Sequence, residues 1–301
     1  MMITKLEEIV SAAKARGPKR IAVACAADTH TLSAVGEAYA KGLVTPVLFG
    51  PRAEIERICR ELGYDPSAFI IVDEASDLKC VELAVKAVAT GEADVLMKGL
   101  VSTDKYMRGI LNKEAGLFPP KGVLSHVAVI ELPGYHKLLC MSDAAVLPEP
   151  DFKQKTVLIK YLAKVAATLG VERPKVACIT PSELVLPTVI SSTEAAVLAK
   201  MGDRGQLGNV EADGPLSIDV ALYSEVAKEK KVQGSTVAGD PDCLLMPNIE
   251  SANVLFKTAT HFAGASIAAM GMGTRVPCVL TSRGDTPLTK LYSIALACLS
   301  C

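Results

Sequence analysis

The sequence predicts an α/β protein, with two domains of mainly parallel sheets flanked by helices, and three observations support this fold class. A short apolar run, a turn and an amphipathic segment follow one another repeatedly along the chain. Half of the 301 residues are apolar but only 4% are aromatic, a balance that suits helices packed on parallel sheets better than a β-sandwich. Polar residues gather where the apolar runs end. Such alternation indicates parallel strands joined by right-handed crossovers, and a chain of this length predicts two domains.

The first part of the chain shows the alternation most clearly. Short apolar runs alternate with helix-like segments, and in one of these segments Leu78, Val81, Val85 and Val88 have the 3.6-residue spacing of an amphipathic helix. The predicted strands are 20–26, 46–50, 69–73 and 93–99, and the helices that follow them are 31–41, 54–61, 78–88 and 102–113.

The alternation is interrupted once. Segments 123–132 and 137–143 both have the pattern of extended chain, with Pro133 and Gly134 as a turn between them, which predicts an antiparallel pair. We expect the domains to meet here, with 1–128 plus 270–301 forming the first domain and 129–269 the second. Predicted strands then lie at 175–180, near 210, at 242–248 and at 266–270, with helices at 152–169, 192–201, 217–230 and 249–262.

The stretch 276–290 carries the most concentrated chemistry. A buried strand at 276–280 is followed by Ser282, Arg283 and Asp285 on a turn, and then by a helix. Open α/β sheets bind ligands at the carboxyl ends of their strands. The guanidinium of Arg283 suits phosphate, and a helix N-terminus also favours anions. The structural alternative is that Ser282 and Thr286 cap the helix while Arg283 pairs with Asp285.

A second anion site is predicted where another strand ends. Lys98 and Gly99 close the strand, Ser102 and Thr103 begin the next helix, and Arg108 follows two turns later. Gly99 lets the backbone approach a ligand closely. The alternative is a surface lysine beside an ordinary helix cap.

Two further strand ends carry polar residues. Asp213 and Gly214 are predicted to form a turn after the run near Val210. Asn248 and Asn253 fall early in a helix, where their side chains could orient a carbonyl or a phosphate but could equally cap.

Ser125 and His126 lie in the extended segment near the predicted domain junction. A lone histidine in an apolar run is more often a core residue than a base, and the four histidines are too scattered to predict a metal site. The closely spaced Cys298 and Cys301 close a helix rather than open one, which disfavours a redox role.

Composition and missing motifs exclude several classes. A net charge of −1 gives no broad attraction to nucleic acid or membrane. Nine cysteines at irregular spacing favour reduced thiols in a cytoplasmic protein. The P-loop, the dinucleotide fingerprint and the GxSxG elbow are absent. Several anion-friendly strand ends remain, and they predict a cleft for a phosphorylated or CoA-type ligand.

Five segments resemble the phosphate acetyltransferase/phosphate butyryltransferase family. They run in order over most of the chain from about residue 18, and MKGLVSTDK, KLLCMSDAA and KLYSIALA resemble the butyryl branch more closely. The segments are 93–108, 124–139, 213–221, 237–257 and 279–297.

The resemblance implies two α/β domains of the isocitrate/isopropylmalate dehydrogenase type with an active-site cleft between them. It implies reversible conversion of acyl-CoA and phosphate into acyl phosphate and CoA, with no metal and no tightly bound cofactor. A homo-oligomer is usual for the family.

The resemblance also assigns roles to individual positions. Ser282 and Arg283 match the family's active-site turn, and Arg108 matches a phosphate-binding arginine. A second family arginine before Ser125 has no counterpart. The acetyltransferase branch has an aspartate, proposed as the base for the CoA thiol, where this chain has Thr289; Asp285 is then the nearest carboxylate.

Three alternatives remain beside a butyryl-transferring enzyme. One is a phosphate acetyltransferase acting on acetyl-CoA. Another is an NAD- and metal-dependent dehydrogenase of similar architecture, and the last is a non-catalytic sensor of CoA or acyl phosphate.

Overall fold

A computed structural model describes residues 2–282 and 284–301. The helices and strands alternate over most of this length, and short 3-10 turns occur at Pro66–Ala68 and Lys113–Ala115. The elements are α1 (Leu6–Ala15), β1 (Lys19–Ala24), α2 (Thr29–Ala40), β2 (Val44–Gly50), α3 (Arg52–Glu61), β3 (Ile70–Asp73), α4 (Asp77–Ala89), β4 (Val95–Lys98), α5 (Thr103–Leu111), β5 (Ser125–Glu131), β6 (Leu139–Ser142), α6 (Phe152–Thr168), β7 (Lys175–Ile179), α7 (Ile190–Asp203), β8 (Glu211–Leu216), α8 (Ile218–Leu222), α9 (Ser224–Glu229), β9 (Cys243–Leu245), α10 (Ile249–His261), β10 (Ser266–Met272), β11 (Cys278–Val279) and α11 (Pro287–Leu299).

The chain divides into two compact units. The N-terminal unit comprises Leu6–Leu124 and Ala268–Cys301, and the central unit comprises Ser125–Ile267 with residues 2–5. The domain boundaries expected from the sequence, with 1–128 plus 270–301 in one domain and 129–269 in the other, stay a prediction.

The sheet of the N-terminal unit has the strand order β3-β2-β1-β4-β11-β10. The first five strands pair in parallel, and β10 runs antiparallel to β11 through the pair Gly271 and Cys278. Ala24 lies opposite Lys98, and Val279 lies opposite Met97. The carboxyl ends of β1, β4 and β11 therefore lie side by side at one edge of this sheet.

The sheet of the central unit has the order β5-β6-β9-β7-β8. Only β5 and β6 are antiparallel, and the other neighbours pair in parallel. Leu245 lies opposite both Ser142 and Cys178, so β6, β9 and β7 also end at one edge.

The predicted α/β class and the antiparallel β5–β6 pair are confirmed. Two local predictions are wrong. Asp213 and Gly214 lie inside β8 rather than in a turn after a strand. The sequence suggested a turn here because of Pro215. β8 is an edge strand, however, and an edge strand tolerates proline because one side of it forms no backbone hydrogen bonds with another strand.

The helix predicted at 217–230 is instead two short helices. Tyr223 between them is extended, with φ −122° and ψ 115°. The carbonyl of Ala221 accepts a hydrogen bond of 2.9 Å from the Gly239 N–H, so a distant loop takes the acceptor that a continuous helix would need for itself.

The core of both units is aliphatic. The buried side chains are mainly Ala, Val, Leu and Ile, which matches the low aromatic content. Within the described ranges, every helix is either too short or too polar to cross a membrane.

Candidate active site

Two of the predicted anion-site residues lie at neighbouring strand ends of the N-terminal unit. Lys98 is the last residue of β4, and Ser282 follows β11, the strand that pairs with β4. The Lys98 side chain is buried, with 4% of the residue exposed, and its Nζ lies 3.4 Å from the Gly99 carbonyl oxygen. The ammonium of Lys98 is therefore buried at the end of the strand rather than exposed to open solvent.

Gly99 is required by strand packing. A Cβ at this position would lie 2.2 Å from the carbonyl oxygen of Cys25 and 2.7 Å from that of Ala24. The Gly99 N–H also donates to the Ala24 carbonyl at 2.8 Å. The prediction was that Gly99 lets the backbone approach a ligand closely. The close approach shown by these distances is to the backbone at the end of β1.

The residues predicted to begin the next helix are those that do so. Ser102 is the N-cap of α5 and accepts a 3.3 Å hydrogen bond from the Lys105 N–H, and Thr103 is the first helical residue. The Arg108 guanidinium forms an ion pair of 3.1 Å with Asp104, and the two side chains are 77% and 67% exposed. Since exposed ion pairs contribute little free energy, Arg108 can exchange Asp104 for an anionic ligand at small cost.

The turn after β11 is closed by its own polar groups. Asp285 accepts the Ser282 N–H at 2.6 Å, and the Asp285 N–H donates to the Ser282 carbonyl at 3.2 Å. Thr286, rather than Ser282, caps α11 by accepting the Thr289 N–H at 3.2 Å. Arg283, the central residue of the prediction, lies outside the described residues.

Lys290 of α11 donates hydrogen bonds to this turn from the interior of the protein. Its role was not predicted from the sequence. Its ammonium donates to the Ser282 carbonyl at 2.9 Å and to the Thr281 hydroxyl at 3.3 Å. Only 3% of the residue is exposed. Burial lowers the pKa of Lys290, while the charges of Asp285 and Asp28 oppose that shift. A lysine within an otherwise apolar helical run was the available signal.

In the central unit, a buried carboxylate lies at the edge of the sheet where β6, β9 and β7 end. Asp143 follows β6 and is 2% exposed, and it was not singled out from the sequence. Three of its donors lie in the loop that it begins, so the carboxylate fixes the path of that loop. The donors are the Ser125 hydroxyl at 2.8 Å and the N–H groups of His126 at 3.0 Å, Ala145 at 2.8 Å, Val146 at 2.9 Å and Leu147 at 3.3 Å.

Ser125 and His126 begin β5 and are buried, with 0% and 3% exposed. The hydroxyl of Ser125 and the N–H of His126 both serve Asp143, and the Ser142 hydroxyl donates to the His126 carbonyl at 3.0 Å. The Ser125 hydroxyl and the backbone groups of His126 thus hold β5 to the end of β6. The burial of His126 agrees with the core-residue alternative. Contact of either residue with a ligand stays a prediction.

The two asparagines have internal partners. Asn248 caps α10 by accepting the Ser251 N–H at 3.0 Å, which is the capping alternative. Asn253 donates to the Ala144 carbonyl at 3.1 Å. It therefore steadies the loop that Asp143 begins, from the helix side.

Asp213 and Gly214 do not join the residues at the carboxyl ends of the strands. Asp213 lines an open cavity of about 460 Å³ together with Arg173, Asp203 and Glu211, beside the first half of β8. A Cβ at Gly214 would lie 2.8 Å from that of Cys178, so this glycine serves packing between neighbouring strands. The strand assignment explains why the turn predicted for this pair is wrong: the carboxyl end of β8 is Leu216. Contact of either residue with a ligand stays a prediction.

Across residues 2–282 and 284–301, no group of three or more His, Cys, Asp and Glu side chains has a geometry that could hold a metal ion.

Comparison with known proteins gives concordant matches. The family model described as phosphate acetyl/butaryl transferase matches residues 77–298. The phosphate butyryltransferase of Clostridium acetobutylicum is 43% identical over 298 residues, which cover 99% of this chain and 98% of that protein. The phosphate acetyltransferase of Thermotoga maritima is 41% identical over 292 residues, 97% of this chain and 98% of that protein. A crystal structure of a branched-chain phosphotransacylase from Enterococcus faecalis V583 has a TM-score of 0.83 at 28% identity, covering 94% of this chain and 98% of the other.

Proposed function

The chain belongs to the phosphate acetyl/butaryl transferase family, and we propose that it catalyses reversible transfer of a short-chain acyl group, butyryl in the first place, between coenzyme A and inorganic phosphate. The resemblance recognised in five sequence segments is thereby confirmed, and the protein is an acyltransferase. Full-length identity above 40% to both a butyryl- and an acetyltransferase is the observation that carries the reaction class.

The proposed reaction joins two substrates directly. In the direction of acyl-CoA synthesis, the CoA sulfur attacks the acyl carbon of acyl phosphate, the C–O bond to phosphate breaks, and the thiol proton leaves to solvent or to a base. The pKa of a free thiol is about 8.5, so a minority is already thiolate at neutral pH. Positioning both substrates together supplies much of the remaining rate enhancement.

Ser282 is proposed to stabilise the oxyanion of the tetrahedral intermediate. Its side chain is exposed, and its Oγ accepts the Gly284 N–H at 3.4 Å. No acceptor in the described part of the chain takes its hydroxyl hydrogen, which leaves that hydrogen for a substrate oxygen. One such donor contributes about 3 kcal/mol to the transition state.

Arg283 and Arg108 are proposed to hold the phosphoryl group, with Lys98 adding charge at the neighbouring strand end. For Arg283 the support is the sequence match, and for Arg108 it is the match together with the exposed, weakly held guanidinium. Thr103 at the start of α5 offers a backbone N–H to the same anion.

Asp285 is a poor choice for the base that takes the thiol proton. Its carboxylate already accepts the Ser282 N–H at 2.6 Å, and that bond closes the turn. We therefore propose that local positive charge, rather than a dedicated carboxylate, raises the thiolate fraction.

The acyl group is the open part of the proposal, because 43% and 41% identity do not separate a butyryl from an acetyl preference. Phosphate-dependent release of CoA from acetyl-, propionyl-, butyryl- and isobutyryl-CoA decides it. The highest kcat/KM is expected with butyryl-CoA, and a maximum with acetyl-CoA would establish the alternative. No release from any of the four, despite binding of CoA, would indicate a sensor and overturn the proposal.

Arg283→Ala tests the active-site turn in the same assay. Turnover is expected to fall by orders of magnitude while circular dichroism and unfolding stay those of the parent protein. Arg60→Ala is the control, because Arg60 is an exposed arginine on α3 that is paired with Glu56 at 2.9 Å. A folded Arg283→Ala protein with near-normal turnover would refute the role of Arg283.

Several finer features stay predictions. These are the cleft between two domains of the isopropylmalate dehydrogenase type, catalysis without a tightly bound cofactor, a homo-oligomeric state and a cytoplasmic location. An NAD reduction assay with and without magnesium tests the dehydrogenase alternative.

A further inference from the structure

Lys290 is a buried cation directly behind the turn that carries Ser282. Its ammonium contacts that turn twice, at the Ser282 carbonyl and at the Thr281 hydroxyl, at 2.9 Å and 3.3 Å. Both acceptors are neutral, so neither cancels its charge.

The nearby carboxylates are committed to other donors. Asp285 accepts the Ser282 N–H, and Asp28 caps α2 by accepting the N–H and the hydroxyl of Thr31 at 2.8 Å and 2.6 Å. Both act on Lys290 through space, yet among the residues with described positions no carboxylate oxygen lies within 4.0 Å of its Nζ. The ammonium is thus a buried positive charge without a direct ion pair.

Such a charge is costly to bury, and two other buried lysines, Lys137 and Lys155, show the usual remedy of a carboxylate partner. Lys137 pairs with Asp240 at 2.9 Å and Asp242 at 2.7 Å, and Lys155 pairs with Glu194 at 2.5 Å. Lys290 differs from both because its surroundings offer it carbonyl and hydroxyl oxygens only. A negative charge supplied from outside the protein at the same turn would balance it.

We propose that Lys290 is a positioning residue that holds the Thr281–Ser282 segment from the interior, and that its charge, which has no direct ion pair, favours an anion, the phosphoryl group of the substrate, on the outer side of the turn. This inference rests on the proposed function, because that function places phosphate at Ser282. It assigns Lys290 no contact with substrate.

The charge and the hydrogen bonds of Lys290 can be separated by substitution. Lys290→Gln keeps an N–H donor beside the Ser282 carbonyl but removes the charge, and Lys290→Met removes both. Lys137→Met is the matched control. It also removes a buried ammonium. Lys137, however, lies just before β6 and pairs with Asp242, the residue before β9. Both residues are therefore at the amino ends of these strands, opposite to the edge that carries the predicted site.

Inorganic phosphate is the probe, and its Kd is measured by its effect on thermal unfolding and by calorimetry. Lys290→Gln is expected to raise the Kd for phosphate and the KM for phosphate at least tenfold, with a smaller change in the KM for acyl-CoA. Lys290→Met should also lower kcat, because the turn loses its support. Lys137→Met should lower the unfolding temperature without changing the Kd for phosphate.

The wild-type protein gives a second measurement that does not depend on a variant folding. Burial lowers the pKa of Lys290, while the charges of Asp285 on its own turn and of Asp28 before α2 oppose that shift. Phosphate affinity should therefore fall as pH rises, beginning below the value of about 10.4 that is usual for an exposed lysine. Affinity that is constant from pH 8 to that value would overturn the proposal.

Failure of this inference is distinguishable from failure of the proposed function. If the wild-type enzyme releases CoA with phosphate but folded Lys290→Gln binds phosphate with wild-type affinity, only the role of Lys290 is wrong. If the wild-type enzyme neither turns over nor binds phosphate, the proposed function itself is wrong, and this inference fails with it.

Discussion

The hydroxyl of Ser125 donates a hydrogen bond of 2.8 Å to the carboxylate of Asp143, and both residues are almost completely buried. The two positions are 18 residues apart and end up together because β5 and β6 pair antiparallel. Four backbone N–H groups complete the shell of that carboxylate. The end of β6, the start of β5 and the loop 144–147 therefore depend on one side chain.

Removing that side chain should destabilise the central unit strongly. Asp143→Ala leaves the buried hydroxyl of Ser125, the buried N–H of His126 and three partly buried N–H groups of the following loop without their acceptor. We expect the free energy of unfolding in urea to fall by about 3–5 kcal/mol. Asp203→Ala is the control, because Asp203 is 63% exposed and its ion pair with Lys200, at 3.0 Å, is at the surface. Its effect should stay within about 0.5 kcal/mol. Equal stability of the two variants would show that the Asp143 shell contributes nothing.

Arg108→Ala should weaken phosphate binding without destabilising the protein. Loss of a charge-assisted contact with phosphate, worth about 1.5–3 kcal/mol, predicts a rise of roughly tenfold or more in the KM for phosphate. The free energy of unfolding should change by less than about 0.5 kcal/mol, because the pair with Asp104 is exposed.

Arg60→Ala is the matched control for this variant, since it removes an exposed arginine that also pairs with a carboxylate four residues earlier on its helix. The KM for phosphate should not change in the control. An unchanged KM in both proteins would remove Arg108 from the phosphate site.

Gly99→Ala should destabilise the protein because the new side chain has no room. The new methyl group would meet the carbonyl oxygens of Cys25 and Ala24, which belong to the backbone and cannot rotate away. We expect a loss of about 1–3 kcal/mol in the free energy of unfolding, measured in urea. Gly284→Ala, where a Cβ meets nothing within 4 Å, should leave stability nearly unchanged and is the control. A stable Gly99→Ala protein would mean that β1 and β4 separate easily at this end.

The C-terminal cysteines should differ sharply in reactivity. Burial raises the pKa of Cys298 to about 12, so its thiol stays protonated and unreactive near neutral pH. Cys301 is the one exposed cysteine of the nine. Partial burial raises the pKa of its thiol too, so the exposure of Cys301 is what distinguishes it from Cys298. The native protein should therefore release one equivalent of thionitrobenzoate rapidly from Ellman's reagent and the denatured protein nine, and Cys301→Ser should abolish the rapid phase. A second rapid equivalent in the native protein would revive the redox interpretation of this pair.

Local patterns predicted the elements well because they depend on neighbours along the chain. The 3.6-residue spacing placed α4 and α6, and the break at Pro133 and Gly134 indicated the antiparallel pair. The prediction failed at β8 and at Tyr223. At Tyr223 a distant backbone group, the Gly239 N–H, competes with the local pattern.

By itself the sequence determined the α/β class, the family and the strand ends at which Lys98 and Ser282 lie, because runs of apolar residues and long motifs record these features directly. Only the tertiary structure decided which residues these side chains and backbone groups contact. It gave Gly99 the end of β1 as its close neighbour, turned Ser125 and His126 toward Asp143, and set Lys290 beneath the turn at Ser282. The physical reason is that burial and the distance between charges depend on residues far apart in the chain, and a pattern of neighbouring residues contains no such distances.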